Sequence, residues 1–257
     1  MLDKSAKYMF MFAHPDDEVL ITGTMKQLLN QGAEVEAAWV TCGEYFGNIE
    51  TRLKELAKVT TLLGLKEESI HLLRLPDLGL VSMLNQASDI VADTLKSVRP
   101  DVIFSNAYEG GHPDHDAVNF LAYEASYRAG LNPILYEFPL YNASGSYLYC
   151  HWRVNAFPEN GLPVLHNPLN ESEIKCKLRS IRSYPSQWMY MVPARLAVSR
   201  SGLASVGEPY RMCPPDRDHT KPPHEGMISY ERKINSFMKI KFPDFRKAVE
   251  QARQRTY

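Results

Sequence analysis

With 257 residues, 44% hydrophobic and 23% charged, the chain can bury a sizeable core, either as one large α/β domain or as one domain with an elaborated tail. A formal net charge of −1 leaves no basic stripe of the kind that grips a phosphate backbone, so nucleic acid is not an expected partner. The four cysteines, Cys42, Cys150, Cys176 and Cys213, are scattered without a CxxC and suggest neither a disulfide scaffold nor a small structural zinc site; a reducing cytoplasm fits them best.

The apolar run 8–13 is too short for a signal-peptide core, and no window approaches the ~20 residues of a membrane span, so a cytoplasmic chain is expected. The first 140 residues alternate short apolar runs with amphipathic segments. The runs are KYMFMFA (7–13), EVEAAWVT (34–41), SIHLLRL (69–75), DVIFSN (101–106) and PILYEFPL (133–140). Between the second and third, Ile49, Leu53, Leu56, Thr60 and Leu63 keep helical spacing, and Gly64 follows as a stop. Met83, Ala87, Val91, Leu95 and Val98 do the same before Pro100. Five strands alternating with four helices predict an α/β, Rossmann-like three-layer sandwich with a mainly parallel sheet of order 3-2-1-4-5 and a C-terminal elaboration. In that order strands 1 and 4 are neighbours whose crossovers wind in opposite directions, and a ligand crevice opens at their C-terminal ends.

AHPDDE (13–18) follows strand 1 and YEGGHPDHDAV (108–118) follows strand 4, so two polar clusters meet at that crevice. Acids gathered at a buried strand end are costly to desolvate unless they hold a cation or move protons. HPDDE taken singly also fits a helix N-terminus, with acids at the positive dipole end and Pro early in the helix. The second His-Pro-Asp cluster favours a metal site. His14, Asp16, Asp17, Glu18, His112, Asp114 and His115 are the available ligands. A catalytic zinc needs three N or O ligands and an open position, which leaves the other acids and the third histidine for chemistry. Such a donor set accepts Fe2+, Co2+ or Mn2+ as well as Zn2+.

AHPDDE together with HPDH resembles the LmbE-like, or PIG-L, zinc-dependent N-deacetylases, which remove acetyl groups from N-acetylglucosamine conjugates. TRLKELAKVTTLLGL (51–65), LPD (75–77), SYPSQ (183–187) and GEPY (207–210) resemble further motifs of that family, and the likeness spans residues 8–210. It implies that His14, Asp17 and His115 bind one metal, that Asp16 is the general base, and that His112 stabilises the oxyanion with Asp114 holding its ring. It also implies that Arg52 and Asp77 contact sugar hydroxyls and that Glu44 lies near the site. Some family members carry a tyrosine two positions before the first histidine of HPDH; Gly110 stands here, with Tyr108 two residues further back. The expected domain spans 1–210, with a Pro-rich loop and helical tail at 211–257 packed on it.

The expected activity is thus metal-dependent deacetylation of an N-acetylated amino sugar or its conjugate, on a small-molecule substrate, in a chain that can be a homo-oligomer. Two other readings stay open: an amidase cleaving a sugar–amino acid conjugate, and a non-catalytic nucleotide-binding module. Against the second, no GxGxxG follows strand 1, and the acids there repel a pyrophosphate. His71 reads as a sheet residue, and His151 and His166 have no partner motif. His219 and His224 lie in a Pro-rich stretch (214–226) read as a linker rather than a lid. Tyr147, Tyr149, Trp152, Tyr184, Trp188 and Tyr190 are expected mostly in packing, and the segment after Phe242 as an exposed helix.

Overall fold

Alternating side chains of the first strand, Lys7–Phe12 (β1), serve two separate cores. Met9 and Met11 point to one face of the sheet, whereas Tyr8, Phe10 and Phe12 point to the other, where Phe10 stacks on Phe104 with centroids 4.9 Å apart. Burial on both faces explains the unbroken apolar run, and each ring so withdrawn from water contributes roughly 1.5–3 kcal/mol. The structure, a computed structural model, describes residues 2–145, 153–200 and 207–254. Tyr147, Tyr149, Cys150, His151 and Trp152 lie outside the described residues.

Strands Glu34–Thr41 (β2), Ile70–Leu75 (β3), Val102–Asn106 (β4) and Ile134–Phe138 (β5) join β1 in parallel, in the expected order 3-2-1-4-5. The crossovers carry helices Thr22–Asn30 (α1), Ile49–Leu63 (α2), Leu84–Val98 (α3) and Pro113–Arg128 (α4). Helix α2 is capped by the Asn48 side chain at its start and ends at Gly64, whose φ of 82° is the left-handed stop that the spacing predicted. The hairpin strands Tyr141–Asn142 (β6) and Arg153–Val154 (β7) follow. Two further strands, Leu165–Asn167 (β8) and Glu208–Met212 (β9), extend the sheet beyond β5; β9 pairs antiparallel with β5, and β8 antiparallel with β9. The predicted order thereby grows to 3-2-1-4-5-9-8.

Helices Glu171–Arg182 (α5) and Trp188–Arg200 (α6) join α1 and α2 on the Phe10 face. On the Met9 face, Phe242–Gln254 (α7) packs with α3 and α4. It is exposed on only one side: Phe242, Phe245, Val249 and Ala252, at helical spacing, are buried. The Pro-rich stretch is not a linker. His219 has no exposed surface; its ring meets Asn119 Oδ1 at 3.0 Å and is surrounded by Tyr108, Phe120 and Tyr123. The stretch is held because Tyr108 donates its hydroxyl to the Lys221 carbonyl and Arg217 pairs with the buried Glu137. His71 is satisfied by Glu36 across β2 and β3, at 2.8 Å.

Candidate metal centre

The two polar clusters meet where β1 and β4 end. Asn106, the last residue of β4, joins them: its Oδ1 accepts from the Ala13 amide and its Nδ2 donates to Asp17 Oδ2. That same carboxylate oxygen accepts from the His14 amide at 2.9 Å. Asp17 Oδ1 is left facing His115 Nε2 at 3.2 Å, and His14 Nδ1 lies 3.7 Å from Asp17 Oδ2. The turn is sharp because Asp16 adopts φ 109°, a left-handed conformation rare outside glycine. The two adjacent acids consequently diverge, and Asp16 reaches Arg52 instead of the histidines, at 3.2 Å.

His14, His112 and His115 bring one ring nitrogen each to within 4.8 Å of one another; His14, Asp77 and Asp114 do the same with their ligand atoms. His14 Nε2 stands 3.0 Å from Asp77 and 3.4 Å from Asp114. His14 Nε2, His115 Nδ1 and Asp114 Oδ1 are buried without a hydrogen-bond partner. Donors and carboxylates in close contact but without hydrogen bonds suit a cation, which asks for oxygen and nitrogen lone pairs and not for a donor–acceptor match. Electrostatics agree. Burial works to neutralise His14, but Asp77, Asp114 and Asp17 outweigh it and raise its pKa well above the usual value. Burial likewise opposes the charge on Asp17, but His115 and His14 hold its pKa well below the carboxylate range. The residues present therefore fit a divalent transition metal.

His112 caps helix α4: its Nδ1 accepts from the Asp114 amide at 3.2 Å. Asp114 meets the His112 ring through this backbone N–H. Its carboxylate accepts from Leu78 N instead, at 2.7 Å. The cap places the ring proton on Nε2, and burial together with the nearby His14 and His115 keeps the pKa of His112 well below its ordinary value. Burial raises the pKa of Asp16, and Arg52 draws it back down.

The nine residues expected at the site are not equally placed. His14, Asp16, Asp17, Arg52, Asp77, His112 and His115 all line one cleft. Asp114 and Glu44 stand behind it; Glu44 Oε1 accepts from the Asp77 amide, and Asp77 Oδ2 from the Tyr45 amide, so these two acids lace the loops after β2 and β3 together. The Arg52 guanidinium, expected on a sugar, is engaged by Asp16 and by the Pro15 carbonyl. Glycine is required at Gly43, where φ is 65° and a Cβ would lie 2.7 Å from an Arg52 nitrogen.

Three residues of the site are given no catalytic, metal or substrate role from the sequence, although Glu18 and Glu109 lie inside the two polar runs and Glu18 is counted among the available ligands. Glu18, fully buried, accepts from the Asp16 amide, from Trp39 and from Tyr184, and so holds the strained turn. Glu109 accepts from the amides of Leu140 and Tyr141 and sets the Tyr141 ring edge-on to His115. A polar residue ending a buried strand, as in DVIFSN, was the one available pointer to Asn106. At the position of the family tyrosine, a Cβ on Gly110 would face Pro223, Ile228 and His224.

The family model for PIG-L, GlcNAc-PI de-N-acetylase, matches residues 9–126, which contain both polar clusters. The diacetylchitobiose deacetylase of Thermococcus kodakarensis is 30% identical over 193 residues, spanning 68% of this chain and 67% of that one. The 1D-myo-inositol 2-acetamido-2-deoxy-alpha-D-glucopyranoside deacetylase of Segniliparus rotundus is 30% identical over 159 residues, 47% of this chain and 50% of that protein. The chain spans about half the length of the inositol-glycoside deacetylases that it matches. Among solved structures, the conserved protein TT1542 from Thermus thermophilus superposes with a TM-score of 0.61 at 24% identity, over 83% of this chain and 97% of that one, and shares its fold. Fold, cleft and likeness place the chain in the PIG-L family. Among the described residues, no helix is long and apolar enough to cross a membrane.

Proposed function

We propose that the chain is a metal-dependent hydrolase that removes an N-acetyl group from an amino sugar or amino-sugar conjugate. The observation that carries this reading is the divergence of Asp16 from Asp17: one carboxylate faces His14 and His115, and its neighbour stands in the same cleft turned away from them. His14, Asp17 and His115 are the residues that would hold the metal. A bound Zn2+, or Fe2+, Co2+ or Mn2+ in its stead, supplies Lewis-acid polarisation of the amide carbonyl and lowers the pKa of a water to ~7.

The chain's own residues divide the remaining work. Asp16 takes the proton of the attacking water; burial raises its pKa, which strengthens it as a base, and the Arg52 guanidinium partly opposes that rise. His112, neutral and with its proton on Nε2, donates to the carbonyl oxygen as that oxygen gains charge. Asp114 pins the ring through its amide. Asp16 then returns its proton to the departing amine. Asp77, with Glu44 behind it, borders the sugar, while Arg52 acts through Asp16. The deacetylase relatives support the substrate class.

The test is to purify the protein with its metal and assay acetate release from a panel of N-acetylglucosamine conjugates. About one transition metal per chain, with activity lost to a chelator and restored by zinc, is expected. Release of an amino acid from a sugar conjugate, without acetate from any, would make the enzyme an amidase; full activity in chelator would end the metal mechanism.

A further inference from the structure

Glu18, the third acid of HPDDE, has no exposed surface, and the groups it binds are neutral donors. Its Oε2 accepts from the Asp16 amide at 3.0 Å and from the Trp39 indole at 3.1 Å, while its Oε1 accepts from the Tyr184 hydroxyl. A carboxyl enclosed in this way is costly to desolvate, and packing alone would be served at less cost by an apolar side chain. What the acid secures is one backbone position. Asp16, at φ 109° and ψ −20°, keeps a conformation that a non-glycine residue holds only where its surroundings over-determine it. Tyr184 adds a second hold. It is buried, its hydroxyl binds Glu18, and its ring lies 5.8 Å from the Arg52 guanidinium carbon. Arg52 in turn grips the Asp16 carboxylate. One aromatic ring thus backs both groups that fix Asp16: the acid at its amide and the guanidinium at its side chain. Ser186, two residues on, ties the same turn to α2 by donating its amide and hydroxyl to Glu55.

From this arrangement we infer that Glu18 and Tyr184 are positioning residues for the base: they keep Asp16 in its left-handed turn, with its carboxylate directed to Arg52 and away from His14 and His115, and they act on the reaction through Asp16. The inference rests on the reading of Asp16 as base. Glu18, Trp39 and Tyr184 stand behind the residues that line the cleft, so none of them meets the substrate directly.

The experiment is a mutant cycle on metal-loaded enzyme, with the N-acetylglucosamine conjugate hydrolysed fastest as substrate. Glu18→Leu leaves the Asp16 and Trp39 donors without an acceptor, whereas Glu18→Gln still accepts from both, and the Tyr184 hydroxyl turns to accept from the new amide. Displacing a reacting group by about 1 Å costs on the order of a hundredfold, so Glu18→Leu should lose about that much in kcat with KM and metal content unchanged. Glu18→Gln should recover most of the rate. Tyr184→Phe keeps the ring and its packing, runs the same cycle without a change of volume in the core, and should lose several-fold in kcat. On an Asp16→Asn background each substitution should cost almost nothing further, because the group it positions is already gone. Hydrogen exchange at the Asp16 amide, followed by NMR without substrate, should accelerate roughly tenfold or more in Glu18→Leu and stay near wild type in Glu18→Gln. Unchanged exchange at Asp16, or metal content that falls in step with the rate, would make Glu18 a residue of the core and overturn the inference. Equal losses on both backgrounds would overturn it too, while leaving Asp16 as base. A wild-type rate in Asp16→Asn would remove the base itself, and this inference with it.

Discussion

Arg52 and Asp16 form an ion pair 3.2 Å apart inside the cleft, although they lie 36 residues apart and on different elements. Both side chains are largely enclosed, and Arg52 also binds the carbonyl of Pro15. The guanidinium therefore bears on the charge of Asp16, the proposed base. Replacing it with Gln removes the group that lowers the pKa of Asp16, so that pKa rises. If Asp16 is the base, the acidic limb of the kcat profile should move to higher pH, and the rate at any pH on that limb should fall several-fold. Metal content should not change. A raised KM with an unmoved limb would return Arg52 to the sugar.

Asn106 holds Asp17 and the end of β1 at once. Groups that orient a metal ligand are commonly worth ~10- to 100-fold in metal affinity. Asn106→Ala should weaken zinc binding by that order in a competition titration, while the protein keeps its fold by circular dichroism. Wild-type affinity in this variant would show that Asp17 needs no such anchor.

The sheet order and the meeting of the two polar clusters were legible because they rest on local signals: apolar runs, capping residues, and His-Pro-Asp at two strand ends. Strands β8 and β9 were not, since they hold three and five residues and gain their stability from neighbours distant in the chain. The burial of His219 escaped for a related reason. Proline and charge made 214–226 look solvated, but the partners that enclose it, Tyr108, Asn119 and Glu137, lie about 80 to 110 residues away. Arg52 shows a third limit: its helix and its nearness to the cleft could be read, yet which carboxylate claims the guanidinium depends on the left-handed turn at Asp16.

Gly111 tests the packing around His115. A Cβ there would overlap the Tyr141 carbonyl oxygen, on a segment fixed by Glu109. Gly111→Ala must push Tyr141 away from the His115 ring, at a cost of ~1–3 kcal/mol in stability. Chemical denaturation should show that loss, and metal affinity should drop with it. A variant as stable as wild type would mean that the 140–142 segment yields freely.

Asp116, behind the metal loop, accepts from the amides of Glu109 and Gly110 with one oxygen and lies close to the Tyr230 hydroxyl. Burial pushes its pKa up to about 7, against the lowering effect of those amides. A raised acid contributes stability that is complete below the unfolded pKa and is lost as pH rises through the folded one. In metal-free protein this group should thus cost stability between about pH 4 and 8, by at most ~4 kcal/mol. Asp116→Asn keeps the accepting oxygen and removes the charge. Urea denaturation at pH 5 and pH 8 should show the variant gaining on wild type at the higher pH; an equal difference at both would mean that Asp116 does not titrate in this range.

Asp16 and Asp17, adjacent in sequence, should fail in different ways when neutralised. Asp17 faces His14 and His115, so Asp17→Asn exchanges an anionic ligand for a neutral one and should lower zinc occupancy. Asp16 faces Arg52, so Asp16→Asn leaves the donor set intact. It should retain its metal while losing the base, at a cost on the order of 10²–10⁴ in kcat. Its pH profile should also lack the acidic limb that Asp16 imposes. Metal analysis and kcat on both variants decide between the roles: an Asp16→Asn protein that loses zinc while Asp17→Asn keeps it would exchange ligand and base. Small and equal losses in both, with zinc retained, would reduce the pair to acids at the start of a helical turn.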